Sequence, residues 1–167
     1  GHQASELVSA QAFCEAWTNH PSADTDCRTG RLIDNLQAQQ GPDAKAVFKQ
    51  TVIQAREHIN ALQALRKDIA QTLGDSAQAT LVLQALDMRL ENALPKIQTL
   101  ELQAQQDDIS ATSYAAMFEL LLDLQGQSYQ SVKGSFRNKR WDVAQLIQHQ
   151  TETMQRGQEL QLALKWL

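Results

Sequence analysis

The hydrophobic residues of this chain recur at steps of three and four positions. The longest stripe alternates these steps through Ala79, Leu83, Leu86, Leu90, Ala93, Ile97, Leu100 and Ala104. A step of three or four residues keeps apolar side chains on one face of an α-helix, whereas a half-buried strand needs alternation at every second residue. The pattern therefore predicts an all-α fold.

Prolines and turn residues divide the N-terminal part into two short helices. Residues 4–19 carry a brief apolar stripe, and the helix should end before Pro21 because a residue that precedes proline avoids the α conformation. Residues 28–40 carry a second brief stripe, which Gly41 and Pro42 interrupt.

Four longer helices are expected to follow. They run from Pro42 to Gly74, from Ser76 to Ala104, from Ser110 to Val132 and from Trp141 to the C-terminus, with Ser76 and Ser110 expected as N-caps. Pro42 is expected at the first helical position, and the apolar stripe stays in phase across Pro95, which favours one kinked helix over two. The sequence thus predicts a single domain over residues 1–167, an antiparallel bundle of four long helices with short N-terminal helices.

The last of these helices has the weakest apolar face. Its inward positions include Ile147 and Met154, but they also hold Thr151 and Gly157 where large apolar side chains are expected. Because protein interiors are close-packed, small and polar residues at such positions indicate a void or a polar cavity. Arg156 is expected to lie beside this gap. The alternative is that Arg156 points to solvent or pairs with Glu152, four residues earlier on the same helix.

Composition limits the classes of function. The 167 residues are 43% hydrophobic but only 5% aromatic, which suits helices with one shared core. The net charge is −4, and the 15 basic and 19 acidic residues are spread along the chain. No basic face is expected that could bind a polyanion, so nucleic acid is excluded as an expected partner.

Cys14 and Cys27 are the two cysteines of the chain, and a turn-rich segment that contains Pro21 separates them. A disulfide between them would close a short loop and stabilise the fold by roughly 3 kcal/mol. The alternative is two unrelated buried thiols in a cytosolic protein. The disulfide is favoured, and with it an extracytoplasmic location, either periplasmic or secreted.

No run of about 18 apolar residues occurs, so no segment is expected to span a membrane. The opening Gly1-His2 is typical of what remains after tag removal, and a polar helix follows it directly. This arrangement suits a precursor whose signal peptide or membrane anchor lies outside the sequence given.

The sequence lacks the patterns that carry common catalytic chemistry. Neither His58 nor His149 has a glutamate three residues before it, and no Cys-x-x-Cys pair occurs, so neither a metal nor a haem cofactor is expected. There is no glycine-rich phosphate loop and no nucleophile elbow. Asp87 and Glu91 share a helix face and are interpreted as surface carboxylates. We expect no enzyme activity.

Three short stretches share their order and spacing with one known family. Residues 32–44 (LIDNLQAQQGPDA) match a Leu-Gln-x-x-Arg-Gly-x-Ser-Ala run that enters a long helix, although Gln40 stands in the arginine position. Residues 113–124 (SYAAMFELLLDL) resemble a later Tyr-x-x-(Leu/Met)-Ile-x-x-Leu-Leu-x-Leu helix, and residues 152–157 (ETMQRG) are similar to a closing Glu-x-x-x-Arg-(Ala/Gly) segment. In these features the chain resembles the nitrate- and nitrite-sensing (NIT-type) helical domains.

The resemblance implies a non-catalytic sensor or ligand-binding bundle that takes a small polar or anionic ligand between its first long helix and its last. Two arginines clamp a small planar anion in that family; here Arg156 is present, Gln40 replaces the other arginine, and Gln37 lies one turn earlier. One guanidinium and an amide offer fewer charge-assisted donors than two guanidinium groups, which weakens the expectation of nitrate in particular.

A second interpretation belongs to a different class. A protein-interaction module, such as an immunity protein, an inhibitor or a secretion-system adaptor, would bind its partner on an exposed helix face and need no pocket. The two interpretations differ in what should stabilise the fold, a small ligand or a protein partner. The sequence leaves open whether the chain forms a homodimer.

Overall fold

The computed structural model describes residues 9–18, 43–136 and 141–164. Within these ranges the chain is mostly helical and contains no β-strand, which confirms the all-α prediction. The helices are α1 (Ala10–Thr18), α2 (Ala44–Leu73), α3 (Ala77–Gln103), α4 (Ala111–Leu124), α5 (Tyr129–Val132) and α6 (Val143–Leu164), with a 3₁₀ turn at Lys133–Phe136 between the last two. The short helix predicted over residues 28–40 lies outside the described residues.

Side-chain caps set the starts of three of these helices. Asp43 has an extended backbone and accepts hydrogen bonds from the backbone N–H groups of Lys45 and Ala46, so it is the N-cap of α2. The prediction that Pro42 occupies the first helical position was therefore wrong, because Ala44 occupies it. Ser76 and Ser110 cap α3 and α4 in the same manner, as the sequence predicted.

Helix α3 continues through Pro95 without a break, which confirms the prediction of one helix rather than two. Proline has no N–H to donate to the carbonyl of residue 91, so one hydrogen bond of the ladder is absent there. The helix tolerates this loss because Ala93 and Ile97, on either side of the proline, are both fully buried and hold the helix in the core.

Helix α4 is shorter than the sequence predicted. It ends at Leu124, where the N–H of Gln127 donates to the carbonyl of Leu122 and the N–H of Gly126 donates to that of Asp123, both over 3.0 Å. These two bonds form a Schellman cap, and Gly126 takes the left-handed conformation (φ 68°) that such a cap requires. The predicted single helix to Val132 was wrong for this reason.

A reciprocal cap starts α6 at Val143 rather than at Trp141. The N–H of Gln145 donates to Oδ1 of Asp142 (2.8 Å), and the N–H of Asp142 donates to Oε1 of Gln145 (3.0 Å). This pair is a capping box with aspartate at the N-cap. Val143 and Ala144, the core residues in the first turn of α6, are fully buried.

One core unites the described helices. Helix α2 packs against α3, α4 and α6, and α4 packs in addition against α1, α3 and α6. The short α1 is held mainly by aromatic contacts, since Phe13 and Trp17 meet the ring of Phe118 edge-on at centroid distances of 6.0 and 5.1 Å. Trp17 also contacts Tyr129, which ties α5 to the same cluster.

The paired ends of α2 and α3 extend away from this core. Leu73, the last residue of α2, is 48% exposed, and all residues from 71 to 78 are exposed. On α2 the last buried residue is Leu65, and on α3 the buried stripe resumes at Leu86 after a single buried residue, Ala79. The apolar stripe of each helix is therefore longer than the core that covers it.

Candidate functional site

An uncovered apolar surface lies on the N-terminal half of α3. It consists of Leu81, Val82, Ala85 and Met88, and we call it the α3 outer face. Leu81 is 70% exposed, Met88 is 65% exposed and Val82 is 40% exposed. Isolated exposed apolar residues are ordinary, but four that are neighbours at steps of three and four form a continuous helix surface.

The α3 outer face continues the surface to which α4 binds. Lys96 bonds to Glu119 and Asp123 of α4, and Arg89 lies against Gly126 just after the end of α4, where an added Cβ would lie 2.6 Å from Nη2 of Arg89. Val82 and Ala85 lie seven and four residues before Arg89, so they lie on the same side of α3 as Arg89. Because α4 ends beside Arg89, none of the helices in the described residues lies over this side from Met88 towards the start of α3.

A groove of about 320 Å³ marks the place where α4 stops. It is lined by Ala85, Met88, Arg89, Asn92, Asp123, Gly126 and Gln127. Apolar side chains of α3 form one part of the lining, and amide and charged groups form the other. The groove therefore joins the apolar surface to a set of hydrogen-bonding groups at one helix end.

An ionic cluster lies directly behind the groove. Lys96 donates to Oε1 of Glu119 and to Oδ2 of Asp123, the second over 2.5 Å. Partial burial lowers the pKa of Lys96, but the hydrogen bonds and negative charges of Asp123 and Glu119 outweigh it, so the pKa is raised overall. Glu119 is only 3% exposed, and the cluster fixes α3 against α4 where the groove begins.

Two guanidinium–carboxylate pairs fix α2 against α3. Arg66 bonds to both carboxylate oxygens of Asp87 near the extended end, and Arg56 bonds to both oxygens of Glu101 (3.0 and 2.5 Å) closer to the core. The bonds from the arginines lower the pKa of Asp87 and of Glu101. Asp87, interpreted from the sequence as a surface carboxylate, is thus a partly exposed partner of α2.

Of the three ligand-site residues predicted from the sequence, only Arg156 lies within the described residues. Its side chain is exposed on α6 and Nη2 donates to Oγ1 of Thr153 (3.3 Å). Among the residues that the structure describes, no carboxylate forms an ion pair with Arg156. Gln37 and Gln40 lie outside the described residues, so their distance from Arg156 stays a prediction.

The gap expected at Thr151 is occupied by α2. Thr151 is 4% exposed, its hydroxyl donates to the carbonyl of Ile147 (2.8 Å), and Oγ1 of Thr51 lies 3.5 Å away. Two threonines on facing helices therefore satisfy each other where a cavity was expected. At Gly157 the surroundings are more open, since a Cβ there would meet no atom within 4 Å.

Cys14 is 6% exposed on α1, while Cys27 lies outside the described residues, so the disulfide between them stays a prediction. In the three described ranges, no group of three or more His, Cys, Asp or Glu side chains is arranged to bind a metal ion. None of the helices described here is long and apolar enough to cross a lipid bilayer.

Sequence reasoning missed the α3 outer face. The signal was present, because Leu81, Ala85, Met88 and Asn92 follow each other at steps of four, three and four on the side opposite the buried stripe. In the described part of the chain these residues are uncovered because α4 ends beside Arg89. No protein-family model, curated protein or solved structure that was compared with this chain matches it.

Proposed function

We propose that this chain is a non-catalytic protein-interaction module whose binding surface is the α3 outer face. The single observation that carries the proposal is the exposure of Leu81, Val82 and Met88, three large apolar side chains that neighbour each other on the first half of α3. Burial of a large apolar side chain is worth about 1.5–3 kcal/mol, so a partner that covers these three gains a substantial part of its binding free energy from them.

The proposed architecture is an antiparallel bundle of four long helices, α2, α3, α4 and α6. The ion pairs support opposite directions for α2 and α3, since the later residue of α2 (Arg66) pairs with the earlier residue of α3 (Asp87). Lys96 with Glu119 and Arg89 beside Gly126 support the same relation between α3 and α4. In this arrangement the ends of α2 and α3 project as a helical hairpin.

The occupant that fits the surface is an amphipathic helix. The α3 outer face is a narrow stripe of side chains at helical spacing. The element that packs against α3 next to this stripe is a helix, α4. A helix that follows the line of α4 beyond Gly126 would place apolar residues at steps of three and four over Val82 and Ala85. Its end would lie above the groove, within reach of Asn92 and Gln127.

The test uses a photocrosslinking residue, p-benzoylphenylalanine, at position 88 and, as the control, at the exposed position 98 on another side of α3. The full chain is irradiated in extract of its native cells and the crosslinked peptides are sequenced. We expect an adduct from position 88 only, to a helix that carries an apolar stripe, and we expect Leu81→Asp to abolish it. Equal labelling from both positions, or no adduct at all, would overturn the proposal.

A ligand-binding sensor is the second candidate function, and Arg156 favours it. The guanidinium is exposed and donates a hydrogen bond to the neutral hydroxyl of Thr153, and the neighbouring Gly157 leaves open space. A small anion could therefore approach Arg156 without displacing a carboxylate. Gln40 and Gln37 complete this proposed site, as the resemblance to nitrate- and nitrite-sensing domains implies.

The proposed extracytoplasmic location rests on a disulfide between Cys14 and Cys27. Mass spectrometry after alkylation of the unreduced protein decides it. We expect no alkylation without a reductant and two alkylated cysteines after reduction and unfolding. Alkylation of both cysteines in unreduced, unfolded protein would remove the argument for an oxidising compartment.

A further inference from the structure

We propose that the partner of the α3 outer face is an acidic amphipathic helix, whose aspartate or glutamate enters the groove and pairs with Arg89. This inference rests on the proposed function, because it names the chemistry of the partner for the same surface. It derives from the guanidinium of Arg89, which lines the groove beside the apolar stripe and forms no hydrogen bond or ion pair with any described residue.

The neighbours of Arg89 along its own helix do not neutralise it. Side chains three and four residues apart are the ones that meet on a helix surface. At these positions Arg89 has Ala85 and Leu86 before it and Asn92 and Ala93 after it, and none of the four carries a charge. Each of the two arginines of α2, in contrast, bonds to a carboxylate of α3.

The end of α4 does not use the guanidinium either. Arg89 lies over Gly126, but the carbonyls of Leu122 and Asp123 already accept the two N–H groups of the Schellman cap. The carboxylate of Asp123, which lines the same groove, bonds to Lys96 rather than to Arg89. The donors of Arg89 therefore remain available to a ligand in the groove.

The position of Arg89 favours an ordered ion pair. Its Nη2, Cζ and Nε atoms lie between 2.6 and 3.3 Å from the point where a Cβ on Gly126 would be, so the guanidinium rests against bare backbone. A group that is already held in place loses less conformational entropy when it binds a carboxylate. The exposed amides of Asn92 and Gln127 line the same groove and can donate to the same carboxylate.

Covering the α3 outer face makes the charge of the partner decisive. A helix that lies over Val82 and Ala85 removes water from the half-buried Arg89, and a guanidinium that is desolvated without an anion is unfavourable. A carboxylate at the end of the partner helix above the groove restores charge-assisted hydrogen bonds, which a neutral or basic side chain does not. The surface therefore selects a helix that combines an apolar stripe with a carboxylate at one end.

A selection from displayed peptides tests this charge preference. The probe is a library of helical peptides with leucines fixed at steps of three and four and all other positions randomised, and the full chain is the bait. Peptides enriched by the wild type should share an aspartate or glutamate at one position. Those enriched by Arg89→Glu should share a lysine or arginine there, and Arg89→Lys should keep the acidic preference. Lys49→Glu, an exposed charge reversal near the other end of α2, should enrich the same peptides as the wild type.

Binding of one selected peptide measures the size of the effect. The wild type should bind the acidic peptide about fivefold or more tightly than the same peptide with glutamine at that position, whereas Arg89→Gln should bind the two about equally. Fluorescence anisotropy of the labelled peptides gives these affinities. Circular dichroism and urea unfolding confirm that the variants are folded.

The outcomes separate this inference from the proposed function. If peptides bind the wild type but not Leu81→Asp, and show no acidic preference, the acidic partner is overturned and the proposed function stands. An acidic preference that persists in Arg89→Glu also overturns the inference, because the carboxylate then pairs elsewhere. If the wild type enriches no peptide over Leu81→Asp, both proposals are overturned.

Discussion

At the scale of single residues, Tyr114 is buried with its hydroxyl group unsatisfied. The residue is 1% exposed, and among the described residues no group forms a hydrogen bond to the hydroxyl. Burial, and secondarily the negative charge of Asp43, raise the pKa of Tyr114. The ring itself is well placed, since it meets Phe48 edge-on at a centroid distance of 5.1 Å.

We expect Tyr114→Phe to stabilise the protein by about 1 kcal/mol, because the variant keeps the ring and removes a polar group that is buried without a partner. Urea unfolding at neutral pH measures the change. Tyr114→Leu is the matched control, and it should destabilise the protein because it also removes the ring. A loss of stability in Tyr114→Phe would mean that the hydroxyl has a partner.

Arg156 provides a second test at this scale, which concerns the sensor candidate. If Arg156 binds an anion, nitrate or nitrite at millimolar concentration should raise the melting temperature of the wild type, and Arg156→Ala should lose that response. Lys67→Ala, which removes an exposed positive charge from α2, should retain it. If the response to anions is the same in Arg156→Ala and the wild type, the anion site should be abandoned.

At the scale of helices, the ionic cluster between α3 and α4 is the most sensitive contact. Lys96→Met should destabilise the protein by about 3 kcal/mol, because it leaves the buried carboxylate of Glu119 without its cation. The double variant Lys96→Met/Glu119→Leu should recover most of this loss, since apolar groups can replace a buried pair. Urea unfolding of both variants checks the expectation. It fails if Lys96→Met unfolds at the wild-type midpoint or if the double variant is no more stable than Lys96→Met.

At the scale of the whole molecule, the loss of stability at acid pH should depend on the two arginine–carboxylate ion pairs between α2 and α3. The arginines lower the pKa of Asp87 and Glu101 in the folded state from ordinary values of 3.8 and 4.5. The folded chain therefore binds these protons less tightly than the unfolded chain, and the stability from the pairs is present above those values and lost as the pH falls below them.

Glu101→Gln tests whether this ion pair causes the loss of stability at acid pH. The variant should be less stable than the wild type at neutral pH, and the difference should shrink as the pH falls through the range from about 5 to about 2, measured by urea unfolding. Glu152→Gln, on the exposed side of α6, should behave as the wild type at every pH. A difference between Glu101→Gln and the wild type that does not change with pH would show that the ion pair is not its cause.

At alkaline pH the dependence is opposite, and stability should fall as the pH rises. Lys96 and Tyr114 both have pKa values raised above their ordinary values of 10.5 and 10.0. The stability that these two groups contribute is fully present below about pH 10. It is lost as the pH rises, because the unfolded chain releases these protons at a lower pH than the folded chain does. Thermal unfolding between pH 9 and about 11 should therefore show a fall in melting temperature that is smaller in Lys96→Met/Glu119→Leu. An equal fall in both proteins would contradict this assignment.

Several features of the fold could be predicted from local sequence alone. Ser76 and Ser110 were identified as caps, and the stripe from Ala79 to Leu100 as one helix through Pro95, because caps and periodicity act within a few residues along the chain. The start of α2 was misplaced by two residues, and α4 was predicted too long because the helical spacing continues to Val132, past Gly126 where the helix is capped.

The candidate site could not be predicted in the same way. Periodicity shows that α3 has two apolar sides, but which side is covered depends on where a different helix ends, and that is a property of the packed molecule. Thr151 is the opposite case. Its polar side chain indicated a cavity, but Thr51, a hundred residues earlier in the chain, fills that space. The sequence by itself determined the helices, because their hydrogen bonds are local. Only the tertiary structure decided which surfaces remain exposed, because burial depends on residues far apart in the chain.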